Sequence, residues 1–70
     1  MNTKKLKQAR LNVNLTQHEV AKKIGISTKT YNRKELGMAD FSLHEVTSLI
    51  ELLYLSFKEV NEIFFENKIT

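Results

Sequence analysis

The sequence predicts an all-α fold in which five short helices surround one core, in a single domain over residues 1–70. The chain contains no proline and only two glycines, apolar residues recur at spacings of three and four, and three Ser/Thr-x-x-Glu capping boxes mark helix starts. A chain of 70 residues buries too little surface to divide into two cores. We therefore expect one small helical domain.

The first predicted helix spans residues 4–13, where Leu6, Ala9 and Val13 share one face and lysines occupy the other. Asn14 is the expected stop, because asparagine tolerates the left-handed conformation that often ends a helix.

The second and third predicted helices are joined by a tight turn at Gly25, where a positive φ carries no steric cost for glycine. Thr16 opens the second helix through a capping box, and Ser27 is placed to cap the third over residues 28–36. Together the pair occupies about residues 16–36.

Two more helices are expected in the C-terminal half. Gly37 should end the third helix, and the loop after it should fold Met38 and Phe41 back on the core. Ser42 and Ser56 each begin a capping box that opens a helix. The apolar faces predicted for these helices contain Leu43, Val46, Leu49, Ile50, Leu52 and Leu53 in the fourth, and Phe57, Val60, Ile63 and Phe64 in the fifth.

Charge is distributed unevenly along the chain. Residues 1–34 carry nine basic side chains and one acidic, a net charge of +8, whereas residues 35–70 carry two basic and seven acidic, a net charge of −5. This asymmetry favours a polyanion as the partner of the N-terminal half. Solvated lysines on helix surfaces are the alternative interpretation.

Composition also excludes several classes of protein. The chain has no cysteine, so apolar packing rather than disulfides or thiolate metal sites must stabilise it. No apolar run approaches the roughly 20 residues that cross a bilayer, and the N-terminus lacks the apolar stretch of a secretory signal. We expect a cytoplasmic protein with no membrane partner.

Catalytic and metal-binding patterns are weak in this sequence. His18 and His44 each stand alone on a predicted polar face, and Glu59, Glu62 and Glu66 are better explained by a solvated helix face than by a cation site. No serine or threonine can be matched with a nearby base. The expectation is no enzyme, no metal, no cofactor and no small-molecule substrate.

The helix pair at residues 16–36 matches the helix-turn-helix template, whose second helix lies in the major groove of DNA. At residue level, the segment LTQHEVAKKIGISTKTYNRKELG resembles the DNA-binding core of the phage repressor and Cro family, also called the XRE family. The matching residues are Leu15, Thr16, Gln17, Glu19, Val20, Ala21, Lys22, Lys23, Ile24, Gly25, Ile26, Ser27, Tyr31, Glu35 and Gly37. The resemblance extends back through Leu6 and Arg10 and forward from Leu43 to Leu53. It implies a five-helix, lambda repressor-like DNA-binding domain.

Double-stranded DNA is the partner that this resemblance implies. The DNA-binding residues it implies are Gln17, Ser27, Thr28, Lys29, Asn32 and Arg33, with Gln17 touching a phosphate and the last four facing the groove. Positions 28, 29, 32 and 33 form one polar face of a helix, opposite Tyr31. Lys29 and Arg33 suit guanine O6 and N7, and Asn32 suits adenine. The alternative interpretation is that this polar face is only solvated and contacts no DNA.

The family commonly pairs an arginine of the first helix with the glutamate near the end of the third, and Arg10 and Glu35 match both positions. Such a pair would lock the recognition helix to the first helix. Removing one partner of a buried pair costs about 3–5 kcal/mol, whereas an exposed pair contributes about 0–1 kcal/mol.

Two departures from the family pattern stand out. Lys34 occupies a position that is usually apolar or aromatic, so we expect its stem to run along the core edge toward solvent or phosphate and to weaken the packing under the third helix. The loop LGMADF replaces the family's polar and basic loop and adds Asp40. Affinity for nonspecific DNA should be modest as a result.

The tail suggests a homodimer surface. Phe65 falls off the predicted inward face of the fifth helix and is expected to join Tyr54, Leu55 or Ile69 in an exposed apolar patch. Repressors of this type pair two recognition helices about 34 Å apart on DNA. Local packing of the C-terminus is an equal alternative.

Two functions follow from these observations. The leading hypothesis is a sequence-specific transcriptional regulator of the repressor type, whose third helix reads DNA. The alternative is a protein-interaction module that keeps the fold and uses its apolar C-terminal helix on a partner.

Overall fold

The computed structural model describes residues 1–66, which form five α-helices. The helices are α1 (Thr3–Asn12), α2 (Gln17–Ile24), α3 (Thr28–Glu35), α4 (Leu43–Leu52) and α5 (Phe57–Phe64). This order confirms the predicted all-α fold, and each predicted boundary lies close to the observed one. None of the helices in the described part of the chain is long and apolar enough to cross a membrane.

The helix starts follow the predicted caps. Thr16, Ser42 and Ser56 each accept a hydrogen bond from the backbone N–H three residues on, and the glutamate at that position returns a bond to the cap's own N–H. Ser27 caps α3 through the N–H of Thr30. Each cap satisfies donors that a helix leaves without intrahelical partners, so the polar sequence pattern alone fixes where four helices begin.

Positive φ angles end the helices where the sequence predicts it. Gly25 and Gly37 both have φ 83°, and Asn14 has φ 59°. At Gly37 a Cβ atom would also lie 3.3 Å from Thr3 Cγ2, so the end of α3 passes close to the start of α1. The positive φ favours glycine there, and the nearby Thr3 methyl leaves a larger side chain little room.

A single apolar core receives side chains from all five helices and the turn after α4. Its buried members are Leu6, Ala9, Val20, Ala21, Ile24, Tyr31, Leu49, Leu53, Leu55 and Ile63. α2 packs chiefly on α3 and also on α4, while α1 packs on α5 and α3. Burying a leucine or isoleucine of this kind stabilises the fold by about 1.5–3 kcal/mol, so the core holds α3 at a fixed angle.

Three predicted core residues lie outside instead. Leu43 and Phe57 are 83% and 78% exposed, because each is the first residue of its helix and projects beyond the neighbouring helices. Met38 is exposed as well. Phe41 alone folds the loop back, with its ring centroid 5.9 Å from that of Tyr31 and 6.4 Å from that of Phe64.

Candidate nucleic-acid interface

The third helix, α3, presents one polar side of its surface outward. Eight residues give α3 a length of about 12 Å, which a major groove about 12 Å wide accepts. Tyr31 and Glu35 are its buried residues, so the opposite surface is free to meet a partner. All six residues proposed for DNA contact lie on this surface or at its edge, on α3, its cap and the first residue of α2.

The exposed surface of α3 divides into two rows. Lys29 and Arg33, one turn apart, form the outer row, and both side chains are exposed. Thr28 and Asn32 form the inner row, and both are half-buried. Ser27, just before the helix, is exposed, and its hydroxyl donates to Thr30 Oγ1 at 2.9 Å.

The first two residues of α2 hold the inner row. His18 Nδ1 and Thr28 Oγ1 share a hydrogen bond of 2.9 Å, and Asn32 Nδ2 donates to Gln17 Oε1 at 3.1 Å. The outer row makes no such bond within residues 1–66. α3 therefore carries two fixed polar side chains beside two free basic ones.

Glu35 is the polar centre beneath α3. Its carboxylate accepts hydrogen bonds from Arg10 Nε at 2.7 Å and Arg10 Nη2 at 3.3 Å, from Gln17 Nε2 at 2.6 Å and from the Tyr31 hydroxyl at 3.0 Å. Arg10 Nη1 also donates to the Leu15 carbonyl at 2.8 Å. The two charged side chains are only 7% and 3% exposed, so Arg10 and Glu35 form a buried ion pair with its hydrogen bonds satisfied.

The pKa values of all three charged or phenolic groups in this network are shifted, and the hydrogen bond with Glu35 raises that of the Arg10 guanidinium. Burial alone would raise the pKa of Glu35, but the hydrogen bonds from Arg10, Gln17 and Tyr31 outweigh it and lower the pKa below its ordinary value. Burial raises the pKa of the Tyr31 phenol, and the negative charge of Glu35 is the second largest cause of the rise. Glu35 is therefore an ionised acceptor and Tyr31 a neutral donor at neutral pH.

Lys34 differs from the sequence expectation. Its ammonium lies 2.7 Å from Glu45 Oε1 and 6.0 Å from the Phe41 ring centroid, with both charged side chains largely buried. The ammonium turns toward α4 because Glu45, already bonded to the Ser42 N–H at the start of α4, lies within reach. The expected weak point under α3 is an ion pair that joins α3 to α4.

Six bases of the N-terminal half make no ion pair with any residue that the structure describes: Lys4, Lys7, Lys22, Lys23, Lys29 and Arg33. The other three, Lys5, Arg10 and Lys34, are neutralised by acids of the C-terminal half. The excess positive charge is thus concentrated on α1, on the end of α2 and on the outer row of α3.

The predicted apolar patch of the tail is not continuous. Leu55 is a core residue, because the turn after α4 directs it inward. Tyr54 is 83% exposed, and Phe65 is 43% exposed in a different depression beside Leu43. Ile69 lies outside the described residues. Tyr54 and Phe57, three residues apart between α4 and the start of α5, are instead the two most exposed aromatic side chains of the described residues.

Sequence reasoning missed most of the polar network. The four-residue spacing of Tyr31 and Glu35 on one helix was a usable signal for their hydrogen bond. The contacts of Gln17 with Glu35 and Asn32 had no such signal, because they join residues 15 or more positions apart on helices whose relative placement only the fold sets.

The fold and the interface define a small helix-turn-helix domain with a basic recognition helix. A family model described as helix-turn-helix matches residues 6–60, more than three quarters of the chain, and the chain belongs to this family, the XRE-type helix-turn-helix DNA-binding proteins. Its general role is therefore DNA binding in transcription regulation. No curated protein and no solved structure matches the chain.

Proposed function

We propose that this protein is a cytoplasmic repressor of the phage repressor and Cro type, which reads double-stranded DNA sequence with α3. The observation that carries the proposal is the pairing of rows on α3, where free basic side chains flank polar ones held by α2. The unpaired basic side chains attract the DNA backbone and guanine, whereas the Asn32 amide, held by α2, presents its hydrogen-bonding groups in a fixed orientation.

Each residue of the interface has a role in this proposal. Lys29 and Arg33 donate to guanine O6 and N7, and Asn32 contacts adenine. Thr28 faces the groove with them. Ser27 lies at its edge, and Gln17 retains one N–H for a phosphate after its bond to Glu35.

Alanine substitution tests the base contacts. We expect Asn32→Ala and Arg33→Ala each to weaken binding to a selected cognate site by about 1–3 kcal/mol, with little change on random DNA, because base contacts act only on the matching sequence. The cognate site is obtained by selection from a random pool, and affinities are measured by fluorescence anisotropy at fixed salt. Lys7→Ala, an exposed base on α1, is the control for loss of charge alone. Equal losses on cognate and random DNA would contradict base reading.

A homodimer on DNA is part of the proposal. The domain measures 33 × 23 × 20 Å and carries one recognition helix, whereas half-sites one turn apart need two such helices about 34 Å from each other. The longest dimension of the domain is comparable with this spacing. We assign the exposed side chains of Tyr54 and Phe57 to the contact with the second copy.

A protein-interaction module is the second candidate function. The observation in its favour is a group of exposed apolar side chains around the α3–α4 loop and the end of α5, namely Leu36, Met38, Leu43 and Phe65. Salt separates the two functions. DNA binding that falls steeply between about 50 and 200 mM salt supports the repressor, because released counterions drive it. Undetectable binding at the lowest salt supports the module.

A further inference from the structure

Three polar side chains form a chain of hydrogen bonds that leads from the buried ion pair to the reading surface. Gln17 Nε2 donates to Glu35 Oε2 at 2.6 Å, and Gln17 Oε1 accepts from Asn32 Nδ2 at 3.1 Å. Glu35 is buried, and Gln17 and Asn32 are half-buried. The chain thus begins in the core and ends at the inner row of α3.

The carboxylate fixes the direction of every bond in this chain. Glu35, ion-paired with Arg10, has only acceptors, so the nearer end of the Gln17 amide must be its NH₂ group. The carbonyl oxygen of Gln17 then faces Asn32, which must present its own NH₂ group in turn. An amide free of such a partner could rotate by 180° with little cost, but these two cannot.

Asn32 consequently offers a restricted set of groups to a base. One of its N–H groups is bonded to Gln17, which leaves one N–H donor and the Oδ1 acceptor. Adenine presents one acceptor, N7, and one donor, N6–H₂, in the major groove, so the two sets match. Guanine presents two acceptors, N7 and O6, and one remaining N–H satisfies only one of them.

We propose that Gln17 is a positioning residue that makes Asn32 selective for adenine over guanine, by occupying one N–H of its amide and fixing the amide's orientation. The inference rests on the proposed function, that α3 reads DNA bases. It is distinct from a phosphate contact by Gln17, which would change affinity for all sequences equally.

Gln17→Leu tests the proposal, because leucine keeps the apolar stem and removes both hydrogen bonds. At the operator position that Asn32→Ala affects, duplexes carrying A·T or G·C are compared with the full chain. We expect the wild-type protein to prefer adenine by about tenfold or more, and Gln17→Leu to bring this ratio close to one. Adding Asn32→Ala to Gln17→Leu should change the ratio no further, because the two residues act as a unit.

Gln8→Leu is the matched control. Gln8 Nε2 donates to Asn12 Oδ1 at 2.8 Å, so it is a second glutamine–asparagine pair, exposed on α1 and away from α3. Its removal should leave the adenine preference unchanged. A Gln17→Leu protein that loses affinity equally on all duplexes, with its adenine preference intact, would overturn the proposal and leave only a phosphate contact.

A measurement on the free protein keeps the test independent of DNA binding. NMR relaxation of side-chain NH₂ groups should show the Asn32 amide as ordered in the wild-type protein and mobile in Gln17→Leu, with the exposed Asn14 amide as the mobile reference. An Asn32 amide as mobile as that of Asn14 in the wild-type protein would refute the positioning role. Absence of all DNA binding would instead refute the proposed function.

Discussion

At the scale of single residues, Glu35 determines how α3 is held. Its carboxylate receives donors from α1, α2 and α3 itself, so its removal would release three elements at once. A buried ion pair contributes little net stability compared with apolar packing, yet breaking one partner leaves an uncompensated charge. The network therefore fixes the position of α3 relative to α1 and α2, and breaking it lowers the stability of the folded protein.

Glu35→Gln should change how stability depends on pH. The pKa of Glu35 is lowered in the folded protein, so its contribution is present in full above the unfolded value of about 4.3 and is lost as the pH falls through the folded value. We expect the variant to be less stable at pH 7 by about 3–5 kcal/mol, because Arg10 stays buried without its partner. Its free energy of unfolding, measured with urea, should then fall less than that of the wild type between pH 7 and pH 3.

Glu62→Gln is the control for this experiment. Glu62 pairs with Lys5 at 2.9 Å on a more exposed surface between α5 and α1, where solvent screens the charges. The hydrogen bond from Lys5 lowers the pKa of Glu62 too, so the pH profile of Glu62→Gln should depart from that of the wild type in the same direction as Glu35→Gln but by much less, because this pair is more exposed. Parallel profiles for Glu35→Gln and the wild type would mean that Glu35 does not supply this acid dependence.

At the scale of elements, the start of α4 is also the point at which α4 is joined to α3. Glu45 belongs to the capping box with Ser42 and also binds the Lys34 ammonium from α3. Burial would raise its pKa, but the bonds from Lys34 and Ser42 outweigh burial and lower it. One carboxylate thus both caps a helix and joins two helices.

Two substitutions of Glu45 should separate these roles. Glu45→Gln keeps an oxygen for the Ser42 N–H and loses the charge facing Lys34, whereas Glu45→Ala loses both. The Ser42 hydroxyl still caps the backbone N–H of residue 45 in both variants, so we expect Glu45→Ala to be less stable than Glu45→Gln by about 0.5–1.5 kcal/mol, the range for one hydrogen bond, as measured by thermal and urea unfolding. Equal stability of the two variants would show that the bond from the Ser42 N–H to the side chain contributes nothing.

At the scale of the whole molecule, the acidic C-terminal half of the chain determines which bases of the N-terminal half remain unpaired. Its carboxylates neutralise the bases that face inward or toward α5 and leave the outward ones unpaired. The exposed side chains of Tyr54 and Phe57 lie at another part of the surface, the corner between α4 and α5. Tyr54 there has φ 54°, an uncommon conformation for a bulky residue.

Tyr54→Asn should affect folding and association in opposite directions. Asparagine tolerates a positive φ better than tyrosine, so the monomer should keep or gain stability. It also removes apolar surface, so a dimer through this corner should weaken. Sedimentation at micromolar concentration, with and without a two-half-site duplex, measures the association, and thermal unfolding measures the monomer. Unchanged assembly on the duplex would exclude this corner as the dimer surface.

Much of the fold was readable from local sequence. The capping serines and threonine, the glycines and Asn14 act over four residues or fewer, so their positions determined the helix ends. The apolar spacing identified most of the core. It was wrong for Leu43 and Phe57, because a repeat along one helix does not say where the neighbouring helices stop.

The sequence by itself determined five helices, their caps and a basic third helix with a polar face. The tertiary structure decided what those side chains bond to. It placed Lys34 against Glu45 rather than solvent, divided the face of α3 into free and fixed rows, and linked Asn32 through Gln17 to a buried carboxylate. The physical reason is range: caps and turns are set by neighbours in the chain, whereas these hydrogen bonds join helices that meet only after the core has packed.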